Sequence, residues 1–308
     1  MKEFAWHFEP RLVIEALEKL LPTPPANRDS QGWAPELSRL RLAMREAVLG
    51  GGKGMRSQLV MEAFAVVTQA QHRQAGAEQI VPAACALELI HAYSLVHDDL
   101  PAMDNADTRR GQPSSHVRWG QATAILVGDG LQTLAFEVMC ALQVPAERVL
   151  SAIRLLAQAS GEAGMVGGQA IDIDWSQENR ESVSGESLLA MHALKTGALI
   201  RASGEIGAVL AGGSAAQVAA LREYGRHLGR AFQIQDDVLD VEGDPEVTGK
   251  KATDLANFKI TAPAAFGLER AKAMAQESSC AAVEALREFG GEADTLRNLA
   301  AFVTSRKQ

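Results

Sequence analysis

The chain has 308 residues, with 30 Lys+Arg against 38 Asp+Glu for a formal net charge of −8, and 47% of it is hydrophobic. This composition excludes a disordered or fibrous chain, and the net acidity argues against a nucleic-acid phosphate binder, whose footprint is basic. Three widely spaced cysteines (Cys85, Cys140 and Cys280) with no CxxC pair indicate neither a disulfide framework nor a zinc site, and they fit a reducing cytoplasm. The N-terminus MKEFAWHFEPRL has no continuous apolar region, and no later stretch approaches 18 uncharged apolar residues, so neither a signal peptide nor a membrane span is expected.

In chain order, helical periodicity dominates. Leu12, Leu17 and Leu20 recur at near-helical spacing, as do Leu37, Leu40, Met44 and Val48, and later Leu150, Ile153 and Leu156. The chain holds 52 alanines and only 2 tyrosines, and alanine is the strongest helix former. An all-α fold in one domain spanning 1–308 is expected. Breaks rich in Gly, Pro, Ser and Asp fall at 22–35, 72–79, 105–115, 176–186, 211–215, 242–254 and 289–294, none long enough to be an interdomain linker.

Two acidic clusters end predicted helices. In the run Asp98-Asp99-Leu100-Pro101-Ala102-Met103-Asp104, Asp98 follows His91 by seven residues and shares its helix face. Asp104 would point about 240° away from Asp98 on an ideal helix, so the chain must loop around Pro101 to bring the two together. In Gln233-Ile234-Gln235-Asp236-Asp237-Val238-Leu239-Asp240, Asp236 and Asp240 are four apart and project about 40° from each other. An isolated acidic pair of this kind is often a solvated helix end. Two hard-oxygen clusters without His or Cys suit Mg²⁺, which keeps several waters and is completed by substrate phosphates.

Basic residues to meet such anions are present. They are Arg109-Arg110-Gly111, the glycine-punctuated turn Gly51-Gly52-Lys53-Gly54-Met55-Arg56, Lys195-Thr196-Gly197, and Gly249-Lys250. The Gly-Gly-Lys turn lacks the GxxxxGK[ST] spacing of a nucleotide-binding loop. Each cation alone reads as a solvated surface charge; together with two acidic clusters they do not.

The ordered motifs GGKxxR, IHAYSLVHDDLPAMD, RRG, GGQAIDID, KTGALI, FQIQDDVLD and GDxxxxGK resemble the short-chain trans-prenyl diphosphate synthases, most closely the bacterial farnesyl diphosphate synthases. The resemblance implies an all-helical, isoprenoid-synthase-type bundle around a deep central cavity, a homodimer, and Mg²⁺ dependence. It assigns Asp98 and Asp104 to Mg²⁺ at the allylic diphosphate, with Asp99 beside them and Arg109 on that diphosphate. Asp236 would hold a further Mg²⁺, supported by Asp237 and Asp240. Lys53, Arg56, His91 and Arg110 would bind isopentenyl diphosphate, while Lys195, Thr196, Gln233 and Lys250 line the allylic side. Gln169 and Asp172 would face the cavity. His91 also reads as a satisfied core histidine, and Gln169 as a helix-packing amide.

The implied reaction is electrophilic alkylation, with charge stabilisation on the departing diphosphate and no enzymic nucleophile. Thr196 and Gln233 would stabilise the allylic cation in an apolar pocket that excludes water. Ser94 and Tyr93, four and five residues before the first cluster, would line the floor that limits chain growth, which implies farnesyl diphosphate as the product. Geranyl or geranylgeranyl diphosphate is the alternative. The sequence departs from the family pattern at Gly54 (usually basic), at Ser57 (usually proline), in the thinned run Asn105-Ala106-Asp107, and in the short segment around Lys259 that has Ala262 where tyrosine is common. A terpene cyclase would carry a different second metal motif, and a non-catalytic subunit would have lost acids from one cluster.

Overall fold

The computed structural model describes residues 4–23, 34–52, 54–69, 78–177, 183–242 and 260–306. Among these the regular structure is helical apart from one β-hairpin of two-residue strands, and the chain divides into two compact units interleaved in sequence. The first unit comprises 8–57 and 79–143; the second comprises 1–7, 58–78 and 144–308.

The first unit is organised on α4 (Val81–Asp98), with α1 (Pro10–Leu20), α2 (Ala34–Leu49) and α6 (Gln121–Cys140) packed around it. Helix α4 opens with Pro82 in its first turn, where a missing N–H is harmless, and it is apolar on nearly all sides, which explains its burial. Its alanines and Cys85 admit neighbours at short range, and Leu87, Leu89 and Ile90 fill the core at 1%, 0% and 0% exposure. Each such side chain contributes about 1.5–3 kcal/mol by leaving water. The buried stripe of α1 runs through Val13 and Leu17 to Leu21, leaving Leu20 exposed. By length and hydropathy alone, 78–98 and 121–140 are apolar enough to cross a membrane, which the sequence count did not anticipate; 72% of the first window and 39% of the second are buried inside the protein.

The second unit is built on the long α11 (Ala215–Glu242). Against it pack α10 (Ala198–Ala211) and α13 (Leu268–Ala285), with α14 (Asp294–Ser305) alongside. Helix α7 (Ala146–Ser160) packs on α10 through Ala152, Leu156 and Ala159 while Leu150 faces solvent, and α8 (Met165–Gln177) lies against the turn that precedes α10. Tyr224, fully buried in α11, donates its hydroxyl proton to the Leu296 carbonyl at 2.7 Å, and Ser279 on α13 does the same to Ala300. These two bonds satisfy buried polar groups while fixing α14, whose C-terminal end reaches the site described below. The predicted break at 211–215 is a helix stop: Gly212 takes φ +76°, and Gly213 N–H closes back on the Ala208 carbonyl.

Candidate active site

In the first unit the chain leaves α4 and turns around Pro101. Asp104 N–H donates to the Asp98 carbonyl at 2.8 Å and Ala106 N–H to the Asp99 carbonyl at 3.1 Å, so the two outer acids meet through their backbones. Buried Leu100 pins the turn. The 105–115 break then contains β1 (Thr108–Arg109) and β2 (Gln112–Pro113), paired antiparallel across Arg110-Gly111. Both turn residues have positive φ (52° and 76°), the geometry that matches strand twist in a two-residue hairpin and usually selects Asn-Gly. An arginine held left-handed costs about 1 kcal/mol or more, a cost seen mainly where function fixes the residue.

The hairpin places Arg109 on Asp99. Its Nε lies 2.9 Å from both carboxylate oxygens and its Nη2 lies 2.5 Å from Oδ1. Asp99 is 2% exposed, and burial raises its carboxyl above the ordinary range against the pull of this fork. Asp99 is therefore the residue that aims Arg109. The Arg110 guanidinium lies against Gly52, where a Cβ would come within 3.2 Å of its Nη2. His91 is held neutral, first by burial and then by the field of Arg56, Arg110 and Arg109. Arg56, His91, Arg109 and Arg110 thus form one cation-rich corner.

Gly54 is left-handed at φ +60° and its carbonyl accepts from the Ser57 hydroxyl at 2.8 Å, while Ser57 N–H donates to Glu88 at 3.1 Å. A proline at 57 would lack that donor, so the two departures from the family pattern work together. Tyr93 is buried, its ring edge-on to His97, and its hydroxyl, pushed up to about 12 by burial and then by Asp98, has no hydrogen-bond partner among the described residues. The neighbouring Ser94 hydroxyl donates to the His91 carbonyl. A pocket of about 440 Å³, with Asp99, Arg109 and Arg110 in its wall beside Leu42, Leu49 and Leu95, adjoins the hairpin.

In the second unit, α9 (Gly185–His192) begins on Ser184, which accepts the Ser187 N–H, and it runs into a π-turn at Ala193–Gly197 that carries Lys195 and Thr196. Two glycines make room for this turn. A Cβ on Gly168 of α8 would sit 2.2 Å from Lys195 N, and one on Gly229 of α11 would sit 3.0 Å from Gly197 Cα. Lys195 Nζ meets Asp172 at 2.5 Å, and the buried Gln169 amide beside it has no partner among the described residues. Thr196 donates to Gln233 Oε1 at 2.6 Å; Gln233 Nε2 donates to Asp237 Oδ1 at 2.9 Å; Ala262 N–H donates to Asp237 Oδ2 at 2.7 Å. Burial pushes Asp237 up to about 6 against those bonds, and burial holds the adjacent His192 down to about 4, with its Nε2 3.8 Å from Asp237.

Asp236, one residue earlier, meets Arg306. The guanidinium, beyond the end of α14, contacts Asp236 Oδ1 at 2.5 Å and the Phe232 carbonyl at 3.3 Å, and lies 4.3 Å from the Phe232 ring centroid. Its side chain is 3% exposed against 38% for Asp236. Arg306, His192 and the two close-packed glycines were not among the sequence candidates. Arg306 is 70 residues from its partner, and no local pattern marks it. Lys53, Lys250 and Lys259 lie outside the described residues.

The donor chemistry fits Mg²⁺. Among the described residues no three His, Cys, Asp or Glu gather into a complete metal site. Carboxylate oxygens from only one or two residues, with phosphates and water as the remainder, are how Mg²⁺ is ordinarily held.

Solved structures similar to this one share the all-α fold of the isoprenyl synthases. An FPP/GFPP synthase from Zymomonas mobilis superposes with a TM-score of 0.81 at 35% identity, covering 96% of this chain and 95% of that one. A geranyltransferase from Legionella pneumophila gives 0.78 at 36% identity, covering 97% and 93%. The polyprenyl synthetase pattern matches residues 38–294, and the chain belongs to that family of prenyltransferases. Similar relatives include a farnesyl diphosphate synthase from Micrococcus luteus, 39% identical over 90% of this chain and 92% of its own length. A putative chloroplastic geranylgeranyl pyrophosphate synthase from Arabidopsis thaliana is 41% identical over 86% and 73%.

Proposed function

We propose that the protein is a Mg²⁺-dependent trans-prenyltransferase that joins an allylic diphosphate head-to-tail to isopentenyl diphosphate and releases mainly farnesyl diphosphate. The observation that carries this is the first unit's corner, where paired acids Asp98 and Asp104 share a short stretch of chain with Arg109 and Arg110, close to Arg56 and a neutral His91. Oxygen donors for a cation beside N–H donors for phosphate suit diphosphate substrates. Mg²⁺ held by Asp98 and Asp104, and a further Mg²⁺ held by Asp236, would supply charge neutralisation on the departing diphosphate.

Arg109, aimed by Asp99, binds that diphosphate, and Arg56, His91 and Arg110 bind the isopentenyl one, with Lys53 and Lys250 as further cations. The allylic C–O bond breaks with its electron pair leaving on diphosphate. The isopentenyl double bond then forms the new C–C bond, and the proton lost from carbon goes to the released diphosphate. Thr196 and Gln233 stabilise the cation, Lys195 with Asp172 flanks them, and Tyr93 and Ser94 stop chain growth. Free cysteines, two of them exposed, suit a reducing cytoplasm, and the exposed Ile125 and Leu126 of α6 suit a homodimer. This reading includes no nucleic-acid partner and no membrane span.

Incubation of the purified protein with dimethylallyl and isopentenyl diphosphates and Mg²⁺, with products identified by mass spectrometry, should yield farnesyl diphosphate. Geranylgeranyl diphosphate as the main product would overturn the chain-length assignment. A cyclic hydrocarbon, or no product, would overturn prenyl transfer.

A further inference from the structure

Asp237 stands next to a proposed metal ligand, yet each of its carboxylate oxygens accepts a hydrogen bond elsewhere. It is 5% exposed; one oxygen accepts Ala262 N–H and the other accepts Gln233 Nε2–H. That second bond fixes which end of the Gln233 amide faces which way. With its NH₂ committed to Asp237, Gln233 presents its carbonyl oxygen to Thr196, whose hydroxyl donates to it at 2.6 Å. A threonine hydroxyl has one proton and two lone-pair sites. With the proton spent on Gln233, Thr196 can offer other groups only lone pairs.

We propose that Asp237 is a positioning residue, acting through Gln233 to orient the Thr196 hydroxyl so that it presents electron density, and never a proton, to the reacting carbon. The proposal rests on the prenyl-transfer reading. A chain of hydrogen bonds in which every donor points toward a carboxylate is polarised in one direction, which strengthens each member and enriches the terminal oxygen. Such an oxygen stabilises an adjacent carbocation, whereas a hydroxyl turned the other way would point its proton at a positive charge. The backbone N–H of Ala262 makes the direction robust by holding the second carboxylate oxygen, so that the carboxylate cannot rotate away. Ala262 is itself completely buried, in a cluster with Ile234, Val238 and Met274, which seats that N–H.

Asp237→Asn is the informative change because it keeps the shape. Its carbonyl can still accept from Ala262, which leaves its NH₂ facing Gln233. Gln233 must then flip to accept, its own NH₂ turns to Thr196, and the hydroxyl reverses. Steady-state and single-turnover kinetics of this variant should show kcat reduced at least tenfold, with KM for isopentenyl diphosphate and the Mg²⁺ requirement each within about threefold of wild type. In a Thr196→Val background, where no hydroxyl remains to be turned and only the Gln233 carbonyl can still move, adding Asp237→Asn should lower kcat by clearly less than it does alone. If Asp237→Asn raises the Mg²⁺ requirement tenfold, Asp237 is a metal ligand and the proposal fails. If the loss is undiminished in the Thr196→Val background, or if Asp237→Asn is as fast as wild type, it fails as well. A wild-type protein without prenyl-transfer activity would instead sink the functional reading on which the proposal stands.

Discussion

The two acidic clusters look alike as strings of letters and differ in how the protein holds them. In the first, Asp98 and Asp104 are brought together by a backbone turn, and Asp99 is taken out of play by Arg109 of the hairpin. In the second, all three acids ride one helix, so no turn is needed; separation comes instead from what each meets, with Arg306 on Asp236 and Gln233 and Ala262 N–H on Asp237. On the proposed reading, the first carboxylate of each adjacent Asp-Asp pair is the one offered to Mg²⁺, with Asp236 also meeting Arg306, while the second is held by protein donors alone. In both clusters the second acid is the buried one, at 2% and 5% exposure. Two charges side by side repel, and a permanent donor on the buried one offsets part of that repulsion and of the cost of its burial.

The largest effects should come from the outer acids. Asp98→Ala and Asp236→Ala should each fall below about a tenth of wild-type turnover while the helical circular dichroism persists, and activity above that level would break the assignment. Asp236→Ala also strands the buried Arg306 guanidinium and should lose about 1–3 kcal/mol in chemical denaturation. No loss of stability would mean that the Arg306 contact contributes nothing.

Tyr93→Ala removes a buried ring from α4. If Tyr93 bounds the growing chain, the folded variant should release geranylgeranyl diphosphate or longer products by mass spectrometry, and an unchanged product distribution would put the floor elsewhere.

Acid titration sharpens the contrast on the second-cluster side. His192, lowered from 6.5 to about 4, stays neutral while the unfolded chain takes up a proton, so its contribution is lost as pH falls between those values. Asp237, raised from 3.8 to about 6, binds its proton first in the folded state, so it adds stability as pH falls through that window. The two trends oppose. His192→Gln should therefore flatten or reverse the acid loss of stability, and Asp237→Asn should steepen it, each by up to about 1.4 kcal/mol per pH unit where only one state titrates. Denaturation curves across that range that coincide for both variants would contradict the shifts.

The smallest effect belongs to the hairpin. Arg110→Asn suits the left-handed turn better and should stabilise by about 0.5–1 kcal/mol, while KM for isopentenyl diphosphate rises severalfold. A variant that loses stability would show that Arg110 is seated by its contacts and not strained.

Much of this was legible in the letters, for identifiable reasons. Alanine content and three-to-four spacing announce helices, Pro101 between Asp98 and Asp104 demands a turn, and RRG, KTG and FQxxDD are short enough to be read locally. What stayed hidden depends on contacts across long stretches of chain or on backbone geometry with weak local signals. The π-turn under Lys195-Thr196 reads as ordinary helix, since its cause is the close approach permitted by Gly168 and Gly229. The hairpin at 108–113 reads as a mere break because Arg replaces the usual Asn. Nothing near residue 306 hints that it closes on Asp236, and nothing in DDVLD says which aspartate faces Ala262.

The division of labour within the acid pairs is tested most directly by isothermal titration of Mg²⁺, with inorganic diphosphate present, into the Asp98→Asn, Asp99→Asn, Asp236→Asn and Asp237→Asn proteins. The account predicts that the first and third lose at least tenfold in Mg²⁺ affinity while Asp99→Asn and Asp237→Asn stay within about threefold of wild type. Equal losses in all four, or full affinity in Asp98→Asn and Asp236→Asn, would contradict it.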